Sequence, residues 1–397
     1  MLVLGGGLAG LSAARRLARC GGRRVRVVLI DRKPHSEFNP LWPDLVSSRV
    51  RPASLRYGLE GFCRRHGVQF VQAHISAIDP AQRSVRTDAG ELSGDFLLCC
   101  LGAQPNYFGR EDCRARTLSL VSVDAAMEIR RRACELARAG RQRGQAYNIL
   151  VVGGGYTGLE TASHLFALLG GQDRRAAQAG RIIVLEKLPR VLATLDEHIS
   201  DWAGRFMADL GVAVRTQLTI ESFQDDQTVR LTDGSMVDSA LVVWATGVVA
   251  ADPLGAMDLP RTAGRRLAVD SMLRVPGREA FFAAGDAAGP ILPGHDAPLR
   301  QAVQFSLAGG RQAADNILAS IRGRRPRAFA PLDPGYVLPL ARGVAVGRVQ
   351  GRTVRGALPS CLHYAMSVYR SWSWRNRLDL LRDLLGRGDD GQSTAPK

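Results

Sequence analysis

With 397 residues, 46% hydrophobic and 23% charged, the chain has room for two or three domains and is too apolar for a disordered or collagen-like polymer. No uninterrupted apolar run reaches the ~18 residues of a membrane-spanning helix; the most apolar stretch, residues 240–251, is too short and contains Gly247. A formal charge of +16 suggests an anionic partner (membrane surface, nucleic acid or acidic ligand), although only three of the 53 basic residues are lysines and an arginine-biased composition supplies part of the excess.

Residues 1–4 read as a strand, and residues 5–10 as a glycine turn. Residues 11–20 have helical spacing with arginines outward, Gly21-Gly22 stops the helix, and residues 25–30 form a β-branched strand ending at Asp31. This is a βαβ unit, and because it starts at the first residues no secretory signal is expected there. Residues 66–100 alternate as strands do, 121–140 are helical and 141–145 read as a linker. The opening unit then recurs: a strand at 148–152, a glycine turn at 153–158, a helix over 159–169, a polar loop at 170–180 and a strand at 181–185 ending at Glu186. Further strands are expected at 212–214, 229–231, 241–245 and 280–284, and a helix at 301–321. An Arg- and Pro-rich hinge at 323–334 leads to a hairpin-like segment and a basic amphipathic helix over 362–386, with a disordered tail at 387–397. The seven cysteines show no C-x-x-C spacing, and Cys99 and Cys100, at the end of an apolar run, read as buried thiols in a reducing cytoplasm rather than as a redox pair.

Three motifs carry chemistry. Gly5, Gly7 and Gly10 form G-x-G-x-x-G: the first permits a tight turn, the second lets the backbone approach a pyrophosphate, and the third allows close helix–strand packing. The helix N-terminus then offers free N–H groups to phosphate, and Asp31 stands where a carboxylate can accept from ribose hydroxyls. The alternative is a glycine turn with no ligand. Gly153, Gly155 and Gly158 repeat the pattern with Glu186 as the acid. A carboxylate there accepts a free 2′-hydroxyl and repels a 2′-phosphate, so NADH is preferred over NADPH, a preference that Lys187 and Arg190 weaken. The third motif is the strand 281–284 with Gly285-Asp286. Asp286 either binds a ribityl hydroxyl of a flavin or caps the following helix.

With these residues the chain resembles the flavoprotein family with two dinucleotide-binding domains, over about residues 1–325. Within it, DRKPHSEFNPL at 31–41, LGAQPNYFG at 101–109, VWATGV at 243–248 and GGGYTGLE at 153–160 look like segments of type II NADH:quinone oxidoreductases. The resemblance implies an α/β fold of two Rossmann-like domains in a glutathione-reductase-like arrangement, plus a C-terminal amphipathic helical membrane-association segment. Residues 1–113 and 262–327 would form the FAD-binding domain, 114–261 the NADH-binding domain and 328–397 the membrane-association segment. It implies non-covalent FAD and NADH as cofactors, no metal, and electron transfer to a membrane quinone without proton pumping. Glu160 would lie near the nicotinamide. Pro40, Gly102 and Ala103 would shape the flavin pocket, and Gly247 would close the second domain's exit. Gln304 and Arg300 would line the quinone side. There the family often has A-Q-x-A-x-Q, and Arg300 replaces the first glutamine. The flavin-side loop also departs from the commoner form at Leu41-Trp42-Pro43.

The enzyme is expected at the cytoplasmic face of the inner membrane as a peripheral homodimer, held on an anionic surface by its C-terminal helix, where Trp372, Trp374 and arginines flank Leu378, Leu381, Leu384 and Leu385. The alternative for that helix is packing on the protein itself or on a second subunit. Disulfide reduction is disfavoured, because no cysteine follows Asp31 until Cys63. Two other readings stand. One is a sulfide:quinone-type enzyme using Cys113 and Cys361. The other is a basic flavoprotein that binds nucleic acid, which the absence of helix-turn-helix or zinc spacing disfavours.

Overall fold

A computed structural model describes residues 1–143, 147–170, 180–239, 241–254 and 257–386. The chief elements, in chain order, begin with β1 (Leu2–Leu4), α1 (Leu8–Gly21), β2 (Val28–Asp31), α2 (Trp42–Val46), α3 (Leu59–His66), β3 (Gln69–Gln72) and β4 (Leu97–Cys99). Next come α4 (Val123–Arg143), β5 (Tyr147–Val152), α5 (Tyr156–Leu168), β6 (Gly180–Glu186), α6 (Glu197–Leu210), β7 (Ala213–Thr216) and β8 (Leu241–Trp244). The last are β9 (Phe281–Ala283), α7 (Val303–Ile321), β10 (Gly335–Leu340), β11 (Val344–Val349), β12 (Arg352–Gly356), α8 (Ala357–Arg370) and α9 (Trp374–Leu384).

The chain divides into two compact units. The first comprises Met1–Glu37, Arg56–Gln104 and Val248–Asp333; the second comprises Phe38–Leu55, Pro105–Gly247 and Pro334–Lys397. The divisions fall near residues 104, 247 and 333, whereas the motif-based edges fall at 113, 261 and 327. The segment Phe38–Leu55 and the C-terminal helices belong to the second unit.

In the first unit a parallel sheet has the order β9-β4-β1-β2-β3. Its central strands are short and wholly apolar, as strands covered on both faces must be. Leu2, Leu4, Leu97, Cys99, Phe281 and Ala283 share one buried cluster. Fully burying a side chain the size of Leu or Phe contributes about 1.5–3 kcal/mol, so this layer fixes the plane on which the first glycine turn sits. Helix α7 crosses α1 closely: a Cβ on Gly310 would stand 2.1 Å from Ala9 O, and Arg16 pairs with Asp315 at 2.6 Å.

The second unit repeats the scheme with a parallel sheet ordered β7-β6-β5-β8. In both units the glycine turn leaves the C-terminal end of the strand at which the strand order reverses, the place where open α/β sheets bind ligands. Each unit also carries an antiparallel three-stranded meander: Ile75–Asp79, Ser84–Thr87 and Gly90–Ser93 in the first, Ile220–Phe223, Thr228–Leu231 and Met236–Asp238 in the second.

The structure corrects several expected boundaries. Strand β2 starts at Val28 rather than residue 25, because Gly22, at φ +61°, opens a single turn over Gly22–Arg24. Helix α4 runs through residues 141–143, which were expected in a linker; 144–145 lie outside the described residues, as do nearly all of the loop 170–180 and the tail 387–397. Helix α6 was not anticipated, although Ile199, Ala203, Met207 and Leu210 are spaced for one buried face. The single C-terminal helix is two helices: α8 ends at an extended Ser371, and Ser373 restarts the chain by accepting a hydrogen bond from Asn376 N as the N-cap of α9.

Polar contacts hold the C-terminal helices within their unit. Asp383, whose side chain is almost wholly buried, accepts from Arg51 N at 2.9 Å, Arg51 Nε at 2.6 Å and Ser54 Oγ at 2.6 Å. Asn376 Nδ2 donates to Ser54 O at 3.1 Å. Thus α9 does pack on the protein itself, on the side away from Leu378, Leu381 and Leu385, which stay exposed.

Candidate functional site: two dinucleotide cradles

In the first unit Gly5 has φ +102°, and a Cβ there would stand 2.4 Å from Cys100 O, so no side chain fits. A Cβ on Gly10 would stand 1.8 Å from Gly5 O, which brings α1 hard against the turn. A Cβ on Gly7 would meet nothing within 4 Å. Gly7 is the N-cap of α1 and supplies no side-chain cap, so the first-turn amides face that open space with the positive end of the helix dipole behind them. A pyrophosphate fits this cradle in shape and charge. Asp31 holds the turn: its Oδ2 accepts from Gly6 N at 2.6 Å and its Oδ1 from Lys33 N at 2.8 Å. Each carboxylate oxygen keeps a further lone pair for a ribose hydroxyl.

The second unit reproduces this geometry. Gly153 has φ +111°, and a Cβ on it would stand 2.4 Å from Ala245 O; a Cβ on Gly158 would stand 1.8 Å from Gly153 O; one on Gly155 would meet nothing within 4 Å. Glu186 Oε2 accepts from Gly154 N at 2.6 Å and Oε1 from Leu188 N at 2.8 Å. Arg190 is turned inward to donate to the carbonyls of Ala193 and Leu195, each at 3.0 Å. Gly247, at φ +102°, accepts from Asn106 N at 3.0 Å.

The third motif belongs to the first unit. Asp286 lies in the single turn Gly285–Ala287 that follows β9. Burial pushes its carboxyl up, an effect that a hydrogen bond from Ser306 Oγ at 3.4 Å and the Arg266 charge oppose. Asp286 does not cap α7, whose N-cap is Ala302 with no side-chain bond. Instead it lines a small pocket together with Gly285, Arg266, Arg300, Gln301 and Phe305. Arg266, 8% exposed, donates to Leu299 O at 2.8 Å; nothing in the glycine motifs points to it.

The remaining expected residues are distributed as follows. Gly102, at φ +75°, and Ala103 lie in the first unit, where Gly102 O accepts from Ala251 N at 3.2 Å. Pro40 lies in the single turn Asn39–Leu41 and belongs to the second unit. Arg300 is tied to Asp333 Oδ1 at 2.6 Å and lies 4.9 Å over the ring of Phe305. Gln304 is in the first turn of α7 but does not line the cavity, where Gln301 takes its place. Glu160 is on α5 in the second unit, and burial, with the Asp44 carboxylate second, pushes its carboxyl well above the ordinary range.

The cysteines fit no disulfide chemistry among the described residues: all seven are free, and burial pushes the thiols of Cys63 and Cys113 to about 11 and that of Cys99 to about 12. Cys361 is exposed on α8.

Comparison with known proteins agrees with this geometry. The chain is 25% identical over 369 residues to the type II NADH:quinone oxidoreductase of Staphylococcus aureus, covering 90% of this chain and 91% of the relative. Among solved structures, it resembles NDH2 of Plasmodium falciparum in complex with NADH, with a TM-score of 0.85 at 16% identity over 97% of both chains. It also resembles the sulfide:quinone oxidoreductase of Aquifex aeolicus, with a TM-score of 0.77 at 17% identity over 96% of this chain and 92% of that one. At those identities the two structures establish the shared fold. The family model for pyridine nucleotide-disulphide oxidoreductases matches residues 1–313, the span that carries both glycine turns and the Gly285-Asp286 turn, and the chain belongs to that family.

Proposed function

We propose that the protein is a type II NADH:quinone oxidoreductase, an FAD enzyme that takes a hydride from NADH and passes two electrons to a quinone. The observation that carries this is the doubled cradle: two glycine turns, each closed on its own acid by a backbone N–H bond of 2.6 Å. Bound FAD supplies the two-electron acceptor and donor between the substrates. The chain's own residues bind and orient. Gly5, Gly7, Gly10 and the α1 amides would hold the FAD pyrophosphate, Asp31 its ribose and Asp286 its ribityl chain, with Gly102 and Ala103 shaping the pocket. Gly153, Gly155, Gly158 and Glu186 would hold NADH, with Gly247 at the exit. Glu160, whose carboxyl burial pushes well above the ordinary range, would lie on the nicotinamide side. Arg300 and Gln304 would face the quinone.

Among the described residues, no helix is long and apolar enough to cross a membrane. Membrane access is assigned to the exposed edge of α8 and α9, where Leu358, Leu362, Tyr369, Trp374, Leu378 and Leu385 stand out in water beside Arg375 and Arg382. Apolar side chains with arginines at their flank suit the boundary of an anionic leaflet. This supports reading the enzyme as a peripheral protein, which we assign to the cytoplasmic face of the inner membrane and to a homodimer.

The test is stopped-flow bleaching of the bound flavin. NADH should bleach it within a turnover and a quinone restore it. An oxidised flavin after NADH, while another donor reduces it, refutes the reading. Sulfide-dependent quinone reduction lost on Cys113→Ser or Cys361→Ser would favour the sulfide:quinone alternative.

A further inference from the structure

The loop that follows β6 closes against the second glycine turn, and Gly154 is gripped by it from both ends. The Gly154 N–H goes to Glu186 Oε2 at 2.6 Å, and the Gly154 carbonyl accepts from Leu192 N at 2.9 Å. A Cβ on Gly154 would stand 3.0 Å from Glu186 Oε2 and 2.9 Å from Val191 Cγ1, so the acid and the loop meet over this one residue. Leu192, 3% exposed, has φ +49°, a left-handed conformation that a leucine keeps only where its surroundings impose it. Leu195 N donates to Leu192 O at 2.8 Å, and the buried Ser200 Oγ donates to Val191 O at 2.5 Å.

Arg190 holds this turn from inside. Its Nη2 donates to Ala193 O and to Leu195 O, each at 3.0 Å, and so joins two carbonyls across the bend. Its Nη1 is buried and makes no hydrogen bond. A buried donor left open is costly and asks for a reason. So placed, the guanidinium directs its charge at the loop's own carbonyls rather than at a ligand's phosphate. Lys187, on the same loop, is exposed. The contacts run without a break from Arg190 to Ala193 and Leu195, from the turn at Leu192 to Gly154, and from Gly154 to Glu186.

We propose that Arg190 is a positioning residue for nucleotide choice: it locks the turn 191–195 against Gly154, and through Gly154 fixes the Glu186 carboxylate where it takes a free 2′-hydroxyl and turns away a 2′-phosphate. The proposal rests on the reading of the second cradle as the NADH site, and it inverts what the sequence pattern suggests for this arginine. As a cation free to meet a 2′-phosphate, Arg190 weakens the preference for NADH. As a lock on the loop, it sharpens that preference. The two roles differ in sign, which makes them separable.

The experiment measures kcat/KM for NADH and for NADPH on the full-length, FAD-loaded protein. Arg190→Met keeps much of the side chain's length and removes its donors and its charge. The ratio of NADH to NADPH should fall by roughly tenfold, the worth of one hydrogen bond from a charged donor, and the loss with NADH should fall on KM rather than on kcat. Arg190→Lys keeps the charge but not the planar fork, so its ratio should fall part of the way. In a Glu186→Ser background Arg190→Met should move the ratio no further, because the lock acts through that carboxylate. A ratio that rises in Arg190→Met means that the guanidinium acts as a charge on the 2′-phosphate, and it overturns the proposal. An unmoved ratio does the same, since a loop that merely loosens weakens both nucleotides alike. A further fall in the Glu186→Ser background overturns the route through Glu186. If Arg190→Met does not fold, Arg190→Lys decides, and a ratio held at the wild-type value counts against the lock. Wild-type flavin that NADH fails to bleach removes the NADH reading itself, a failure seen before any variant is compared.

Discussion

The sharpest prediction concerns the third glycine of each turn. A Cβ on Gly158 would stand 1.8 Å from Gly153 O and 3.0 Å from its carbonyl carbon, where ordinary contact begins at 3.4 Å. The obstacle is backbone, so α5 itself must withdraw by more than ~1 Å, a misplacement that costs on the order of 10²-fold in rate when it moves a group that positions a reactant. Overpacking of this kind costs about 1–3 kcal/mol, which a chain of this size survives. Gly158→Ala should therefore fold and carry FAD, yet bleach with NADH ~10²-fold more slowly, while a small-molecule reductant acts normally. Gly10→Ala meets the same 1.8 Å clash in the first unit and should instead purify with little flavin. Gly155→Ala separates sterics from ligand approach: its Cβ meets no protein atom within 4 Å, so Tm should stay at the wild-type value while NADH binding weakens. The assay is stopped-flow absorbance on the purified variants. A Gly158→Ala enzyme that bleaches at the wild-type rate would refute the assignment of the second cradle to NADH.

Further outcomes follow from other sites. Exchanging Glu186 for Ser removes the acceptor that excludes a 2′-phosphate, so the ratio of NADH to NADPH kcat/KM should shrink; an unchanged ratio removes the role given to Glu186. His363 is held neutral by burial, its pKa lowered to about 4. The unfolded chain takes up this proton near pH ~6.5, so the stability His363 contributes is present above that value and is lost as pH falls toward 4. The loss is at most ~3 kcal/mol, and His363→Gln should flatten the pH dependence of urea unfolding in that window; an unchanged slope would mean that His363 is not the group responsible. Changing Trp374 and Leu378 to Asp on the exposed face of α9 should release the protein from anionic vesicles, since each side chain withdrawn from the boundary forfeits about 1.5–3 kcal/mol. Retained binding would place the membrane contact elsewhere.

The sequence alone determined the two cradles. Glycine spacing, a strand before and an acid after are local requirements of one backbone turn, so both turns form where the sequence places them, the first closed on Asp31 and the second on Glu186. The GGGYTGLE segment and its neighbours also sufficed to mark the family. What the sequence left hidden is non-local. The role of Asp286 was open between binding a flavin hydroxyl and capping the next helix; the fold leaves it off the cap of α7 and beside Ser306 and Arg266, which lie elsewhere in the chain. In the second unit Asp44 meets Arg49, His164 and Tyr364, residues brought together from three distant parts of the chain. The C-terminal helix was visible as an amphipathic pattern, but an exposed stripe and a buried stripe look alike until packing chooses between them. Tertiary structure buries Asn376, Leu380 and Asp383 and leaves Leu378, Leu381 and Leu385 in water, because a buried carboxylate needs the donors of Arg51 and Ser54, which only the folded chain brings to it.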